Sequence, residues 1–316
     1  TDTPASQVVK TTITGAYDDE AKLKEFADQV DYISYEFENI PVETVEFLEG
    51  HKAVFPKASL LQVSQDRTEE KSFLNSIDIP TARWTAPKSP QDVLDTLNVW
   101  QAEECILKTT RFGYDGKGQA RYTSDTDIET LWTQFKNQPL IMEEIIDFSC
   151  EISVIIARDC DGKTINYGPM LNEHKDHILC KTTLPAPLDQ SICDEAVRLA
   201  EQLAERIDLK GVLTLELFVT SDNKLLANEI APRTHNSGHW SIDACAHAQF
   251  ENHVRAVWDL PVLVPARHSD CEMLNLIGDD VEKIDQILKT DKACVHIYGK
   301  HDVKAGRKMG HITILK

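Results

Sequence analysis

Basic residues are in short supply. The 316-residue chain carries 33 Lys and Arg against 52 Asp and Glu, a formal charge of −19. Affinity for DNA or RNA comes from neutralising phosphates with cationic side chains, so nucleic-acid binding is excluded as the main task. A local basic pocket for a small anion stays compatible, because net charge says little about one site. Long apolar runs are also missing. None approaches the ~18 residues that cross a bilayer, so no membrane role is expected. The opening TDTPASQVVK has neither a cationic n-region nor an apolar h-region, so no secretory signal is expected. An initiator Met is missing too, which suggests a fragment or a processed form. The eight cysteines form no C-x-x-C pair and no regular framework. That argues against disulfide staples and structural zinc, and for free thiols in a reducing cytoplasm. No internal repeat or low-complexity tract interrupts the chain. What is present is 41% hydrophobic residues, enough for sizeable cores. At roughly 100–200 residues per domain, two or three packed units are expected.

The chain opens as an α/β pattern. An amphipathic segment, Asp18 to Gln29, precedes an apolar strand, Val30–Phe37, and a turn at Asn39–Pro41 leads into a helix over Val42–Glu49. Alternating strands and helices imply a parallel sheet, with ligands gathered at the carboxyl ends of its strands, where Glu36 and Glu38 stand. Gln65–Ser76 reads as one helix. Strands are expected around Cys105–Lys108, Leu140–Glu143 and Glu151–Ala157. A long helix follows over Ser191–Asp208, then strands Val212–Thr220 and Leu225–Ile230. A last helix is expected from about Ser241 to Trp258, and short strands after Pro261 read as a small third domain.

The sharpest chemical signal is a hairpin. A two-residue turn at Asp222-Asn223 makes the numbers of opposed partners sum to 445, which sets Glu216 against Glu229. Facing carboxylates repel unless solvated or bridged by a cation. On this register their neighbours are Val212, Thr214, Phe218, Leu225 and Ala227, which is no solvated face. Hard oxygen donors in an incomplete cage suit Mg²⁺ with phosphates completing its shell. Lys108 ends a strand and leads through Arg111 to Gly113-Tyr114-Asp115-Gly116-Lys117-Gly118-Gln119. Three glycines let backbone N–H groups approach phosphate oxygens, although an ordinary flexible turn has the same composition. Beside a magnesium-suited pair, the loop points to a nucleoside triphosphate. Arg233, His235, Asn236 and Ser237 crowd donors after the second Glu strand, fit either for an oxyanion or for capping the next helix. Lys300 and Arg307-Lys308 form a basic cluster that is either a second anion pocket or a solvated surface.

Taken in order, YEFENIP, SQDR, LKTTRFGYDGKGQ, EE-x₆-E-x-S, VLTLELFV and NEIAPRTHNSGHWSIDAC resemble the 5-(carboxyamino)imidazole ribonucleotide synthetases, ATP-grasp ligases of purine biosynthesis. The resemblance implies an ATP-grasp fold with a partial Rossmann-like N-terminal unit (1–66), an ATP-grasp domain (67–260) and a small β-rich C-terminal domain (261–316). It implies that ATP and bicarbonate form carboxyphosphate, which carboxylates 5-aminoimidazole ribonucleotide and releases ADP and phosphate. By the same resemblance, Arg67 and Lys108 contact ATP phosphates under a lid formed by 113–119. Glu143, Glu144, Ile145 and Ile146 read adenine, Glu151 takes the ribose, and His174 contacts ATP. Glu216 and Glu229 hold Mg²⁺ beside Asn228. Arg233, His235 and Asn236 position carboxyphosphate, with Ser237 on the substrate side. Glu36, Lys300 and Arg307 bind the ribonucleotide. A cytoplasmic homodimer is the assembly the family suggests. The family opens with a glycine-rich strand–loop–helix and closes with a helix, neither of which stands in this sequence, and Thr234 replaces a usual proline. Another ATP-grasp carboxylate–amine ligase, or a catalytically silent nucleotide-binding module, are the alternative readings.

Overall fold

A computed structural model of the chain describes residues 3–113, 117–136 and 138–316. In the N-terminal unit, α1 (Glu20–Ala27) starts at Asp19, whose carboxylate accepts from the Lys22 N–H. It is followed by β1 (Tyr32–Ile33), α2 (Val42–Glu49), β2 (Ala53–Val54) and α3 (Ala58–Gln65). The two strands pair in parallel. Ile33, Val45, Leu48, Val54 and Leu61 close a small core beneath them. The long strand expected over Val30–Phe37 shrinks to two paired residues, and Glu36 and Glu38 lie just beyond its carboxyl end.

The helix expected over Gln65–Ser76 forms as α4 (Arg67–Ser76), two residues shorter at its start, because Gln65 ends α3. Asp66 breaks the run, and its side chain accepts from the N–H groups of Thr68 and Glu69 to start α4. Arg67 therefore sits in the first helical turn.

A small antiparallel sheet comes next. It comprises β3 (Trp84–Thr85), β4 (Cys105–Thr109), β5 (Gln119–Tyr122) and β6 (Leu140–Glu144), in the order β3-β6-β4-β5. Helices α5 (Pro90–Trp100) and α6 (Ile128–Gln134) cover one face, burying Val93, Leu97, Cys105, Leu107, Leu131 and Met142.

Among the described residues the large sheet has eight antiparallel strands. They are β7 (Phe148–Arg158), β8 (Thr164–Lys175), β9 (Ile178–Leu184), β10 (Gly211–Thr220), β11 (Leu225–Ala231), β12 (Cys271–Ile277), β13 (Ala293–Ile297) and β14 (Lys308–Leu315), in the order β11-β10-β7-β8-β9-β12-β14-β13. The C-terminal strands thus continue the central sheet. Helix α7 (Gln190–Arg206) lays Ile192, Ala196, Leu199 and Leu203 on Leu213, Leu215, Leu217 and Val219 of β10. Each fully buried leucine there contributes roughly 1.5–3 kcal/mol. The last expected helix is interrupted, giving α8 (Ser241–Ala244) and α9 (Gln249–Val257). Trp240 and Tyr167 anchor the opposite face of the sheet. Among the described residues no helix is long and apolar enough to cross a membrane. All eight cysteines are free.

Candidate active site

The hairpin β10–β11 sets Glu216 opposite Glu229, as the sequence suggests, but by another route. Near the turn the partners are Val219↔Leu225 and Leu217↔Ala227. The loop is therefore the three residues 221–223, with Asn223 in the left-handed region at φ 63°. A bulge at Asn228 then restores the offset, so that Glu216 meets Glu229. One correction follows. Leu225 and Ala227 do not share the carboxylates' face; they are buried with Leu217 against α7. Phe218 pairs with Leu226 instead.

The two carboxylates differ in surroundings. Glu216 is 13% exposed and receives His235 Nε2 at 3.1 Å. Glu229 is more open, and Arg67 Nη1 lies 3.7 Å from it. Desolvation raises the affinity of Glu216 for a proton, His174 opposes that, and Glu151 adds to it. Desolvation also raises Glu229, and the facing Glu216 charge is the next cause. Behind them, Glu70 is 2% exposed and accepts from the Ile230 N–H at 2.6 Å. Burial, then Glu229, pushes Glu70 up to about 8.

Arg67 links this pair to the small sheet, because its Nη2 donates to Gly113 O at 3.4 Å and its N–H to Thr110 O at 2.9 Å. The loop from 110 closes where the Thr109 N–H meets Gly118 O. Gly118 adopts φ +74°, and a Cβ there would stand 2.6 Å from Thr109 Oγ1, so only glycine fits. Gln119 pairs with Lys108 in the ladder, and Lys117 is exposed. Tyr114, Asp115 and Gly116 lie outside the described residues.

Lys108 donates to Glu143 Oε2 at 2.6 Å, and Lys71, 1% exposed, reaches Oε1 at 3.3 Å. Desolvation alone would raise Glu143, but Lys108 and then Lys71 hold it down at about 2. Burial lowers the Lys108 ammonium, with Glu143 opposing. The Glu143 side chain is thus occupied by two lysines and is not free to read a base. Glu144 points the other way, since it opposes Cys105 of the helix-packed face and is held by Arg83 Nε at 2.6 Å. Ile145 and Ile146 line an open groove of about 640 Å³ with Arg83, Glu104 and Glu144.

Glu151 on β7 holds His174 of β8, Nδ1 to Oε2 2.8 Å. Desolvation works against the charged imidazole, but Glu151 outweighs it and the His174 pKa is raised. After β11, Arg233 forms a fork with Glu38, Nε to Oε2 2.8 Å and Nη2 to Oε1 2.9 Å. Burial, then the Arg233 and Lys308 charges, lowers His235 to about 3. Its imidazole is neutral. Asn236 exchanges two amide hydrogen bonds with Asn275, 2.9 and 2.7 Å. Ser237 is fully buried, so it supports His235 rather than facing a substrate. A Cβ at Gly238 would strike Ile155 Cδ1 at 2.1 Å, which explains how this turn lies flat on the sheet.

Lys300 donates to Lys308 O at 2.6 Å, and Arg307 donates to Asp302 O at 2.8 Å. Desolvation, then Arg307, lowers Lys300, while Glu36 opposes. The three residues expected to hold a ribonucleotide are therefore electrostatic neighbours. Sequence reasoning placed Glu38 at a strand end and Lys308 in the basic cluster without giving either a role, and it missed Glu70 and Lys71. Glu38 stood in the quoted YEFENIP string, and Lys308 beside Arg307. The buried Glu70-Lys71 pair gave no local signal.

Three family comparisons cover the chain. Residues 72–250 match the ATP-grasp domain, 1–65 the ribonucleotide synthetase preATP-grasp domain, and 271–316 the phosphoribosylaminoimidazole carboxylase C-terminal domain. The N5-carboxyaminoimidazole ribonucleotide synthase of Brucella melitensis is 45% identical over 315 residues, covering 99% of this chain and 87% of that one. The fold is similar to N5-carboxyaminoimidazole synthetase from Staphylococcus aureus complexed with ADP, with TM-score 0.93, 32% identity, and 99% and 84% of the two chains covered. It is also similar to the Aspergillus clavatus N5-carboxyaminoimidazole synthase in complex with ADP and 5-aminoimidazole ribonucleotide, with TM-score 0.91, 28% identity, and 99% and 85% covered. With the ATP-grasp sheets, the opposed glutamates and a full-length match in hand, the chain belongs to the N5-carboxyaminoimidazole ribonucleotide synthase family of ATP-dependent ligases.

Proposed function

We propose that this chain uses ATP and bicarbonate to carboxylate the amine of 5-aminoimidazole ribonucleotide, with carboxyphosphate as the intermediate. The observation that carries the reading is the convergence on one strand pair. Glu216 faces Glu229, Arg67 reaches Glu229, and His235 reaches Glu216. Two facing, mutually repelling carboxylates, both hard oxygen donors, fit Mg²⁺, so Glu216 and Glu229 would hold it, beside Asn228. When bound, the ion would neutralise phosphate charge during transfer.

Arg67, Lys108 and the backbone of 113–119 would hold the phosphates. Because both acidic side chains of the connector are engaged, its backbone at 144–146 would read adenine. Glu151, aligned by His174, would accept from the ribose hydroxyls. Arg233 and Asn236 would orient carboxyphosphate, and the neutral His235 would offer a donor without adding charge. Lys300 and Arg307 would take the ribonucleotide phosphate, with Glu36 on its hydroxyls. We also place the domain boundaries near residues 66 and 260.

The test is ADP release with one substrate omitted at a time. Turnover is expected only with ATP, magnesium, bicarbonate and 5-aminoimidazole ribonucleotide together. Equal turnover with another amine, or none under any condition, would overturn the reading.

A further inference from the structure

The face of the large sheet that carries Glu216 also carries three polar side chains on the neighbouring strands. Ser153 of β7 stands opposite Glu216, and Asn172 of β8 stands opposite Thr182 of β9. Ser153, Thr182 and Ser237 are fully buried, and Asn172 is 5% exposed. They form one chain of hydrogen bonds. Thr182 Oγ1 donates to Asn172 Oδ1 at 3.1 Å, and Asn172 Nδ2 donates to Ser153 Oγ at 2.8 Å. Ser153 Oγ lies 2.9 Å from Ser237 Oγ, which lies 2.8 Å from His235 Nδ1. The other imidazole nitrogen, Nε2, is 3.1 Å from Glu216 Oε1.

The direction of this chain is set at the histidine. The Ser237 backbone N–H, which can only donate, points at His235 Nδ1 at 3.4 Å. Nδ1 is therefore an acceptor, which leaves Nε2 as the ring nitrogen that carries the proton. The Ser237 hydroxyl, facing the same lone pair, must donate as well. Its own oxygen is left to accept from Ser153, whose oxygen accepts from Asn172. Every junction then joins a donor to an acceptor, and all the donors point toward the cleft.

We propose that Thr182, Asn172, Ser153 and Ser237 are positioning residues, a buried one-way chain that locks His235 in the Nε2–H tautomer and aims that N–H at Glu216. The bond to a carboxylate is charge-assisted and fixes the rotamer of Glu216, leaving Oε2 turned to other partners. The opposite tautomer would set an N–H against two donors and a lone pair against Oε1. Buried polar chains of this kind act as a unit, so a break remote from the histidine is felt there.

The decisive readout is the long-range ¹H–¹⁵N spectrum of the histidine side chains in the ligand-free full chain, with His235 assigned from its loss in His235→Asn. The expected wild-type pattern is a protonated Nε2 and a bare Nδ1. A proton on Nδ1, in the other tautomer or in the imidazolium, overturns the proposal. Ser153→Ala breaks the chain without touching His235 and frees the Ser237 hydroxyl to accept from Nδ1. An Nδ1–H form should therefore appear beside the Nε2–H form, with only the long Ser237 N–H contact opposing it. A pure Nε2–H form in that variant would show that the chain exerts no hold. The kinetic arm rests on the reaction proposed above, whereas the spectrum does not, so their failures are distinguishable. There, Ser153→Ala should lower kcat about tenfold, the size expected for one hydrogen bond, with KM for ATP little changed.

Discussion

Arg233 and Glu38, 195 residues apart, share a two-bond fork that ties the loop after β11 to the N-terminal unit. Planar, bidentate pairing fixes the guanidinium in orientation as well as place. Glu38→Gln should therefore leave Arg233 present but loosely aimed. Both side chains are partly exposed, 20% and 33%, which discounts the effect. A fall of about tenfold in kcat/KM for the ribonucleotide is expected, with KM for ATP unchanged. Steady-state kinetics with each substrate varied in turn will show whether Arg233 needs this partner.

The opposed glutamates carry a stability signature separate from activity. Without a cation, the raised affinity of Glu216 for a proton means that its charged form opposes folding. Glu216→Gln should abolish ATP turnover yet raise Tm in metal-free buffer. Relief of one facing like-charge pair is worth about 0.2–1 kcal/mol, or roughly 0.3–1.5 °C in a chain of this size. A lower Tm would assign Glu216 a structural role instead.

Glu70 makes a pH-dependent contribution whose sign is fixed by its surroundings. Its folded pKa of about 8 lies above the ordinary 4.5, so the folded state binds the proton more tightly. Stability from this group is fully present below 4.5 and is lost as pH rises through 8. The lowered pKa of His235, about 3 against 6.5, acts in the opposite sense only below 6.5. Between pH 6.5 and 8, metal-free Glu70→Gln should lose less stability than wild type. Parallel denaturation midpoints over that window would contradict the burial of an ionisable Glu70.

The opposition of Glu216 and Glu229 was legible in the sequence, but only because two departures from the expected hairpin cancel. The route to it was not. A three-residue loop at 221–223 and a bulge at Asn228 offset each other, and neither leaves a compositional mark beyond Asn223. The start of α4 at Asp66 was misplaced by two residues because Asp can stand inside a helix or cap one. Strands β8 and β9 went unread, since their inward positions include Asn172 and Thr182, polar residues satisfied by one another. Glu38 and Lys71 acquire meaning only through partners far along the chain, which a period-based reading does not see.

Arg307 and Lys300 lie close enough that the Arg307 charge, after desolvation, lowers the lysine's pKa. Two crowded cations of this kind are stabilised by an anion between them. Arg307→Ala should raise KM for 5-aminoimidazole ribonucleotide tenfold to a hundredfold, from about 1.5–3 kcal/mol of charge-assisted hydrogen bonding, and leave KM for ATP alone. A rise in both constants would mean a folding defect.

In the reaction proposed for this chain, bicarbonate would be activated as carboxyphosphate beside Arg233. A bicarbonate oxygen would attack the γ-phosphorus, and ADP would leave. When the amine then attacks the carboxyl carbon, the C–O bond breaks and phosphate departs with that bridging oxygen. Turnover with ¹⁸O-labelled bicarbonate, followed by mass analysis of the phosphate released, tests this most directly. One labelled oxygen per phosphate formed is the predicted result; unlabelled phosphate, with carboxylated product accumulating, would contradict it.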